Sequence, residues 1–270
     1  MDILGMIAEN LQAVKEKRPL VHHITNYVTV NDCANIALAI GGSPVMADDR
    51  EEVEEMVSFA SALVLNIGTL NARTVESMIA AGKKAKELGI PVILDPVGVG
   101  ATKLRTEAAR RIIEEVGPAV IRGNMSEMKF LAGMNVAIKG VDSVADEQDG
   151  QAIAENLAKQ LNCVIAITGK RDIVTDGQKT CFIDNGHEIL SKVTGTGCMT
   201  TSLIGVYCGA GKDWYIGTIA GILSMGIAGE LAQAGLAPTD GIGMFKVRLF
   251  DSIYNLSTEK ILSKGRVIGG

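Results

Sequence analysis

Several kinds of sequence signal are scarce or missing in this chain of 270 residues, and each absence excludes a class of protein. Basic and acidic residues are interspersed and the formal net charge is -5, so the chain offers no basic face for nucleic acid. The five cysteines are odd in number, widely spaced and without a C-x-x-C pair, which argues against a disulfide framework or structural zinc. We therefore expect a small ligand and a reducing, cytoplasmic compartment.

Long apolar runs are also missing. The most apolar window, residues 214–228, spans about 15 residues, whereas a membrane-spanning helix needs about 20. Charged residues interrupt the start of the chain, so no secretory signal is visible. The window therefore predicts a buried helix, and we expect no membrane partner. Gly217 and Gly221 within it would let another backbone approach closely, either in the fold or at a subunit contact.

Short apolar runs rich in β-branched residues alternate with longer periodic segments in the first half of the chain. Three strand and helix pairs follow one another, at residues 62–67 and 73–87, 92–94 and 106–115, and 119–121 and 126–132. Continuous apolar strands are typical of a mostly parallel sheet covered by helices on both faces. Since no Pro-, Gly- or Ser-rich linker, repeat or low-complexity tract divides the sequence, we predict a single doubly wound α/β domain over residues 1–270.

The alternation of strand and helix patterns changes in the second half of the chain. Three short runs separated by glycine-containing turns predict an antiparallel meander at one edge of the sheet, at residues 164–168, 173–175 and 180–183. The polar stretch 142–151 is predicted to be a surface loop that leads into a helix. From Cys198 onward the pattern is helical almost to the end.

Residues 193–198 (VTGTGC) place two glycines and two hydroxyl side chains directly before an apolar run that predicts a helix over 199–207. Glycines let backbone N–H groups turn toward one point, and the first helical turn adds unpaired donors and the positive end of the helix dipole. This predicts an anion-binding loop, although such turns also simply cap helices. The P-loop pattern does not match, because Cys198 stands where its Lys would begin.

Polar residues that follow apolar strands are the next candidates, since ligands of open α/β sheets collect beyond the carboxyl ends of the strands. Asp95 fits a metal or phosphate site, or an ordinary turn. The spacing of Asn124 and Glu127 suits the water shell of Mg²⁺ and equally a helix capping pair. Arg122 and Thr168 fit contacts to nucleotide phosphates, with a salt bridge or a turn as the structural alternative.

Near the N-terminus, the pattern predicts a loop at residues 21–26 and another at 41–46. The adjacent His22 and His23 point in different directions in an extended segment, so we expect structural hydrogen bonds from each rather than a metal site. Met46 alone is more typical of a core residue than of a ligand contact.

Taken together, these segments resemble the hydroxyethylthiazole kinase family of the ribokinase-like kinases. Seven motifs occur in order over most of the chain: H-x-I-T-N (22–26), G-x-S-P-V-M (41–46), L-N-I-G-T-L (65–70), L-D-P-V-G (94–98), I-R-G-N-x-x-E (121–127), A-I-T-G (166–169) and V-T-G-x-G-C (193–198). Each motif is weak alone, but the ordered set is highly specific.

The resemblance implies phosphorylation of 4-methyl-5-(2-hydroxyethyl)thiazole by ATP with Mg²⁺, a salvage step toward thiamine, in a homotrimer with sites near subunit boundaries. Combined with the residue arguments, it predicts thiazole contacts from Met46, Gly195 and Asn26, ATP contacts from Arg122, Thr168 and Thr194, and Mg²⁺ binding through Asp95 and Glu127.

Cys198 is the candidate catalytic residue. Related sugar and pyrimidine kinases carry an Asp as general base at this point of the glycine loop, whereas the thiazole kinases carry Cys. A helix terminus favours the thiolate and adjacent phosphates disfavour it, so the thiol is either a base or a small buried group that shapes the pocket.

Three other functions remain open. A kinase for hydroxymethylpyrimidine or another small alcohol is less favoured because Cys198 replaces Asp. A nucleotide-dependent dehydratase of hydrated nicotinamide cofactors fits the N-terminal motifs poorly. A non-catalytic nucleotide-binding module would not need intact Mg²⁺ carboxylates beside an anion loop.

Overall fold

The computed structural model describes residues 2–135 and 147–269, and nine strands in this part of the chain form one sheet. The strands are β1 (Leu20–Ile24), β2 (Ser43–Val45), β3 (Ala62–Asn66), β4 (Val92–Asp95), β5 (Val120–Asn124), β6 (Val164–Thr168), β7 (Asp172–Thr175), β8 (Thr180–Ile183) and β9 (Val267–Gly269). Their spatial order is β2-β1-β3-β4-β5-β6-β7-β8-β9.

The helices are α1 (Ile3–Lys17), α2 (Val30–Ile40), α3 (Val53–Ser58), α4 (Ala72–Glu87), α5 (Lys103–Val116), α6 (Met125–Asn135), α7 (Glu147–Leu161), α8 (Thr196–Ala210), α9 (Trp214–Ala234), α10 (Ile242–Tyr254) and α11 (Thr258–Lys264). A short 3-10 helix covers Glu188–Lys192. The loop predicted over residues 142–151 lies partly outside the described residues, and its last five residues belong to α7.

The sheet is parallel from β2 through β6 and antiparallel from β6 through β9. The predicted mostly parallel sheet and the antiparallel meander are therefore confirmed. The terminal strand β9 was not predicted, because its three residues form a strand only by pairing with β8.

Helices cover both faces of the sheet, which explains the continuous apolar strands. In β3, Ala62 and Val64 pack into a cluster with α1, α2, α8 and α9, while Leu63 and Leu65 pack into a second cluster with α4 and α5. Burial of each larger side chain, such as Leu63 or Leu65, stabilises the fold by about 1.5–3 kcal/mol. Alternate residues of one strand thus hold both helical layers on the sheet.

The apolar helix α9 is long and apolar enough to cross a membrane, but 89% of its apolar window is buried inside this fold. A Cβ atom on Gly221 would lie 2.6 Å from the backbone nitrogen of Ile204, and one on Gly217 would lie 2.9 Å from Cys208 Sγ. Both glycines therefore serve close packing of α9 on α8 within the chain.

Candidate active site

The predicted site residues meet where the strand order reverses, beyond the carboxyl ends of β1 and β3. Asn26 lies just after β1, while Asn66 and Asp95 end β3 and β4 and are register partners across them. Cys198 lies in the first turn of α8. Residues far apart in sequence are thus brought to one edge of the sheet.

Asn26, Asn66, Asp95 and Cys198 form a connected cluster, which we call the amide cluster. Asn66 Nδ2 donates to Asp95 Oδ2 at 2.9 Å and lies 3.3 Å from Cys198 Sγ. Asn26 Nδ2 donates to Asn66 Oδ1 at 2.9 Å and lies 3.4 Å from the same sulfur. Two amide N–H groups therefore converge on the thiol.

Backbone donors fix the orientation of both amides. Asn66 Oδ1 accepts from the Gly68 N–H at 2.9 Å, and Asn26 Oδ1 accepts from the Thr29 N–H at 3.1 Å. Because a backbone N–H can only donate, the Nδ2 atoms must face Asp95 and Cys198. The side-chain amide of Asn26 is committed to these partners, and its predicted thiazole contact stays a prediction.

Opposing effects act on the Cys198 thiol. Burial raises its pKa above the ordinary value and the charge of Asp95 acts in the same direction, while hydrogen bonds from Thr29, Asn26 and Asn66 oppose the rise. The net effect is a raised pKa of Cys198. In the absence of bound ligands, Cys198 is therefore a thiol at neutral pH.

Asp95 is fully buried and its two oxygens differ. Oδ2 accepts from Thr201 Oγ1 at 2.8 Å and from Asn66, whereas Oδ1 has no hydrogen-bond partner among residues 2–135 and 147–269. Burial raises the pKa of this carboxyl group to about 6, against the opposing charge of Arg122. An unpartnered carboxylate oxygen is a ligand that Mg²⁺ prefers, so Asp95 fits a cation site.

Glu127 forms the capping pair that its spacing allowed. Its Oε2 accepts from the Asn124 N–H at 2.8 Å, and its own N–H donates to Asn124 Oδ1 at 3.0 Å. Its Oε1 accepts from the Gly98 N–H at 2.9 Å. Since both oxygens already accept from backbone, the predicted role of Glu127 at Mg²⁺ stays a prediction, and one through bound water suits this geometry best.

No group of three or more His, Cys, Asp or Glu side chains suited to a metal ion occurs in the described part of the chain. That sparseness suits Mg²⁺, which keeps several waters and is usually held by one or two carboxylates together with substrate phosphates.

Arg122 at the end of β5 joins the amide cluster to the anion loop. Its Nη2 donates to Thr168 Oγ1 at 2.5 Å, and its Nη1 lies 3.8 Å from Asp95 Oδ2. A Cβ atom on Gly197 would lie 2.7 Å from Nη1, so a glycine is needed for the guanidinium to reach the start of α8. The structure thus brings Arg122, Thr168 and Asp95 together, as predicted.

A cleft of about 760 Å³ opens beside these residues, and its lining includes Arg122, Thr168, Thr196, Gly197 and Thr200. Thr194, predicted to contact ATP, is exposed and does not line this cleft in the described structure. Its ATP contact stays a prediction, and Thr196 is the threonine of the anion loop that lines the cleft.

Asp172 is a buried carboxyl group in the same cleft that the sequence analysis missed. Its Oδ1 accepts from the Gly169 N–H at 2.8 Å. Burial raises the pKa of Asp172 to about 7, against this hydrogen bond and the charge of Arg122. Its position at the start of β7, right after a turn, was the available signal.

The predicted thiazole residues Gly195 and Met46 do not line this cleft. Gly195 has a left-handed backbone (φ +89°), and a Cβ atom there would lie 2.6 Å from Thr29 Cγ2. Since Thr29 Oγ1 donates to Asn26 Oδ1 at 3.0 Å, Gly195 and Asn26 are joined through one residue. Met46 is half-buried directly after β2, whose last residue pairs with His22 of β1.

The two histidines form structural hydrogen bonds, as predicted. His22 Nε2 lies 2.7 Å from the Ala47 carbonyl oxygen, and His23 Nδ1 lies 3.0 Å from that of Val21. Burial lowers the pKa of His23 to about 4, so this ring is neutral at physiological pH.

Sequence reasoning assigned no role to Asn66 of the amide cluster or to Thr201, which donates to Asp95. Asn66 ends a buried apolar strand inside the motif at 65–70, which was a usable signal. Thr201 lies within a helical pattern where nothing distinguishes it from a core residue.

Comparison with known proteins places the chain in a family. Residues 11–259 match the Hydroxyethylthiazole kinase family. A protein named hydroxyethylthiazole kinase from Alkaliphilus oremlandii is 58% identical over 268 residues, covering 99% of each chain. One of the same name from Clostridium beijerinckii is 54% identical, covering 96% of this chain and 95% of its own.

Solved structures agree with these relatives. The hydroxyethylthiazole kinase protein from Pyrococcus horikoshii has a TM-score of 0.90 at 40% identity, covering 98% of this chain and 99% of its own. An ADP complex of Bacillus subtilis pyridoxal kinase has a TM-score of 0.57 at 16% identity, covering 82% of this chain and 94% of its own. The second likeness concerns the fold alone, and the predicted ribokinase-like fold is confirmed. The chain belongs to the hydroxyethylthiazole kinase family.

Proposed function

We propose that this protein transfers the γ-phosphoryl group of ATP to the primary alcohol of 4-methyl-5-(2-hydroxyethyl)thiazole, giving the phosphate ester and ADP in thiamine synthesis. The observation that carries the proposal is the convergence of Asp95, Arg122 and Cys198 at the start of α8. Next to the anion loop, Asp95 is the candidate cation ligand, Arg122 is the cationic donor and Cys198 is the candidate base. Phosphoryl transfer needs this combination, because its catalysis is mostly positioning and charge neutralisation.

The nucleotide is assigned to the cleft beside β5 and β6. Arg122 and Thr168 are already joined by a hydrogen bond, and Arg122 Nε is buried without a partner in the described part of the chain. The glycine-bounded start of α8 supplies unpaired backbone N–H groups next to this guanidinium. These donors suit the polyphosphate of ATP.

Mg²⁺ is assigned to the unpartnered oxygen of Asp95, with Glu127 acting through water. When bound, Mg²⁺ would neutralise phosphate charge beside the anion loop. Asn66 and Thr201 both donate to Asp95 Oδ2, which leaves Oδ1 as the oxygen available for a cation.

The acceptor alcohol is assigned to Gly195 and Met46, which lie outside the lining of the nucleotide cleft. To act as the base, Cys198 would first release its own proton to solvent. The thiolate would then accept the hydroxyl proton and become a thiol again, late in the transfer, since the bond to the attacking oxygen is little formed in a loose transition state. The amide N–H groups of Asn26 and Asn66 would stabilise the negative charge of the thiolate before it accepts the proton.

A substrate panel tests the proposal. Purified protein is mixed with ATP, Mg²⁺ and one candidate at a time: hydroxyethylthiazole, hydroxymethylpyrimidine, pyridoxal, or a hydrated nicotinamide cofactor. We expect rapid ADP release with hydroxyethylthiazole only. Faster release with another alcohol would reassign the substrate, and no release with any of them would favour a non-catalytic nucleotide-binding protein.

The proposed assembly is a homotrimer, on the family resemblance alone. Light scattering should give a mass near three times the 28.4 kDa of one chain, and a stable, fully active monomer would contradict it. The proposed compartment is the cytoplasm, and the five cysteines, which are all free, support it.

A further inference from the structure

Arg105, in the first turn of α5, makes three hydrogen bonds that end on backbone rather than on carboxylates. Its Nη1 donates to the carbonyl oxygens of Ile67 at 2.8 Å and Val97 at 2.7 Å, and its Nη2 donates to that of Gly68 at 2.6 Å. Arg110 on the same helix instead pairs with carboxylates on its own surface. Hydrogen bonds from a charged donor are roughly twice as strong as neutral ones.

The three carbonyl groups belong to two different loops. Ile67 and Gly68 directly follow Asn66 at the end of β3, and Val97 lies two residues after Asp95 at the end of β4. One guanidinium therefore joins the loops that follow the two central members of the amide cluster. Its planar fork suits this task, since it can hold several acceptors at fixed angles.

Each loop also contacts site residues on its outer side. A Cβ atom on Gly68 would lie 3.0 Å from the Asn26 side chain. On the other loop, the Gly98 N–H donates to Glu127 Oε1 at 2.9 Å. A shift of either loop would therefore move groups assigned to the acceptor alcohol and to the metal.

We propose that Arg105 is a positioning residue of this site, which clamps the loops after β3 and β4 so that Asn66 and Asp95 keep their geometry against Cys198. Arg105 touches no reacting atom. The inference rests on the proposed phosphoryl transfer for its kinetic consequence, but the clamp itself is a property of the fold.

The test compares Arg105→Ala and Arg105→Lys with Arg110→Ala as the matched surface control. We expect kcat for hydroxyethylthiazole phosphorylation to fall about 100-fold in Arg105→Ala, the loss typical of small misplacement of reacting groups. The Kd of ATP should stay within about twofold, because none of the residues that line the cleft belongs to the clamped loops. Millimolar guanidinium should restore part of kcat, whereas ammonium should not. Arg105→Lys should recover little, since one ammonium group cannot reproduce the fork.

Hydrogen exchange gives a readout that does not depend on turnover. Backbone amides of residues 66–70 and 96–100 should exchange faster in Arg105→Ala than in Arg110→Ala. If Arg105→Ala does not fold, the same comparison is made with Arg105→Lys. Unchanged exchange in these peptides, or a kcat equal to that of the control, would overturn the inference. An equal loss of ATP affinity and kcat would also overturn it, in favour of a general role in stability. If the wild type fails to phosphorylate the thiazole, the proposed function is lost and the exchange result alone decides on the clamp.

Discussion

Asn66 donates a hydrogen bond to Asp95 across the ends of β3 and β4, with 2.9 Å between Nδ2 and Oδ2. The same nitrogen lies 3.3 Å from Cys198 Sγ. The candidate cation ligand and the candidate base therefore share one positioning group. A change at Asn66 acts on both at once.

The first prediction concerns Asn66→Asp. This replacement keeps an acceptor for the Gly68 N–H but places a second carboxyl group against Asp95 and removes the donor to Cys198. We expect kcat to fall about 100-fold through displacement of both groups, measured at saturating ATP and thiazole. Asn71→Asp at the N-terminus of α4 is the matched control, since Asp caps a helix as well as Asn. An Asn66→Asp enzyme as fast as this control would contradict the shared positioning role.

The second prediction separates base catalysis from packing at Cys198. Cys198→Ala should lose no more than the ~10²–10⁴-fold typical of a missing acid or base, with ATP binding kept. Cys198→Asp should be faster than Cys198→Ala, because a carboxylate can accept both the proton and the amide N–H groups of Asn26 and Asn66. The comparison is made on kcat at saturating substrates. Equal rates for the two variants, with equal ATP affinity, would leave only a packing role.

The third prediction tests whether Glu127 does more than cap α6. Glu127→Gln should raise the Mg²⁺ concentration needed for half-maximal rate by about tenfold, since a carboxylate charge is lost near the site. Mg²⁺ titrations of the initial rate measure this.

Asn124→Ala is the matched control for Glu127→Gln. It removes the cap acceptor, at a cost of about 1 kcal/mol in stability, but leaves both oxygens of Glu127 in place. We therefore expect its Mg²⁺ titration to match that of the wild type. If the Glu127→Gln titration also matched it, Glu127 would be a helix cap only.

The fourth prediction uses the buried carboxyl group of Asp172. Its pKa in the fold is about 7, against an ordinary value of 3.8, so between these pH values the unfolded chain has released a proton that the folded chain still holds. Stability from this group is therefore lost as the pH rises toward 7, by up to about 1.4 kcal/mol per pH unit. Asp172→Asn keeps an acceptor for the Gly169 N–H and does not titrate.

Urea unfolding of both proteins at pH 5, 6, 7 and 8 measures this effect. The free energy of unfolding of the wild type should fall relative to that of Asp172→Asn from pH 5 to 7 and level off at higher pH. A difference that is constant over the whole range would show that Asp172 is ionised in the fold.

The sheet and the strand-end residues were predictable because both depend on local pattern. Apolar strands such as β3 are continuous in sequence, and a polar residue such as Asp95 marks the point where its strand ends. The Asn124 and Glu127 pair was likewise visible from its spacing. The sequence alone could not distinguish a Mg²⁺ site from a helix capping pair, because that distinction needs the positions of the backbone N–H groups.

Contacts between distant segments were not predictable. Asn26 and Cys198 meet across 172 positions of sequence, and no spacing rule connects them. The clamp by Arg105 was hidden for a similar reason, since its acceptors are carbonyl groups that every residue carries. Gly217 and Gly221 predicted a close approach, but only the fold identifies α8 as the partner.

The most direct test of the proposed thiazole phosphorylation is identification of the reaction product. Protein, ATP, Mg²⁺ and hydroxyethylthiazole are incubated and analysed by mass spectrometry, with Asp95→Asn as the matched inactive variant. We predict that the wild type forms the thiazole monophosphate and ADP in equal amounts. Asp95→Asn should form neither product at a comparable rate. Unmodified thiazole after prolonged incubation with folded protein would contradict the proposed function, whether the ATP stays intact or is hydrolysed.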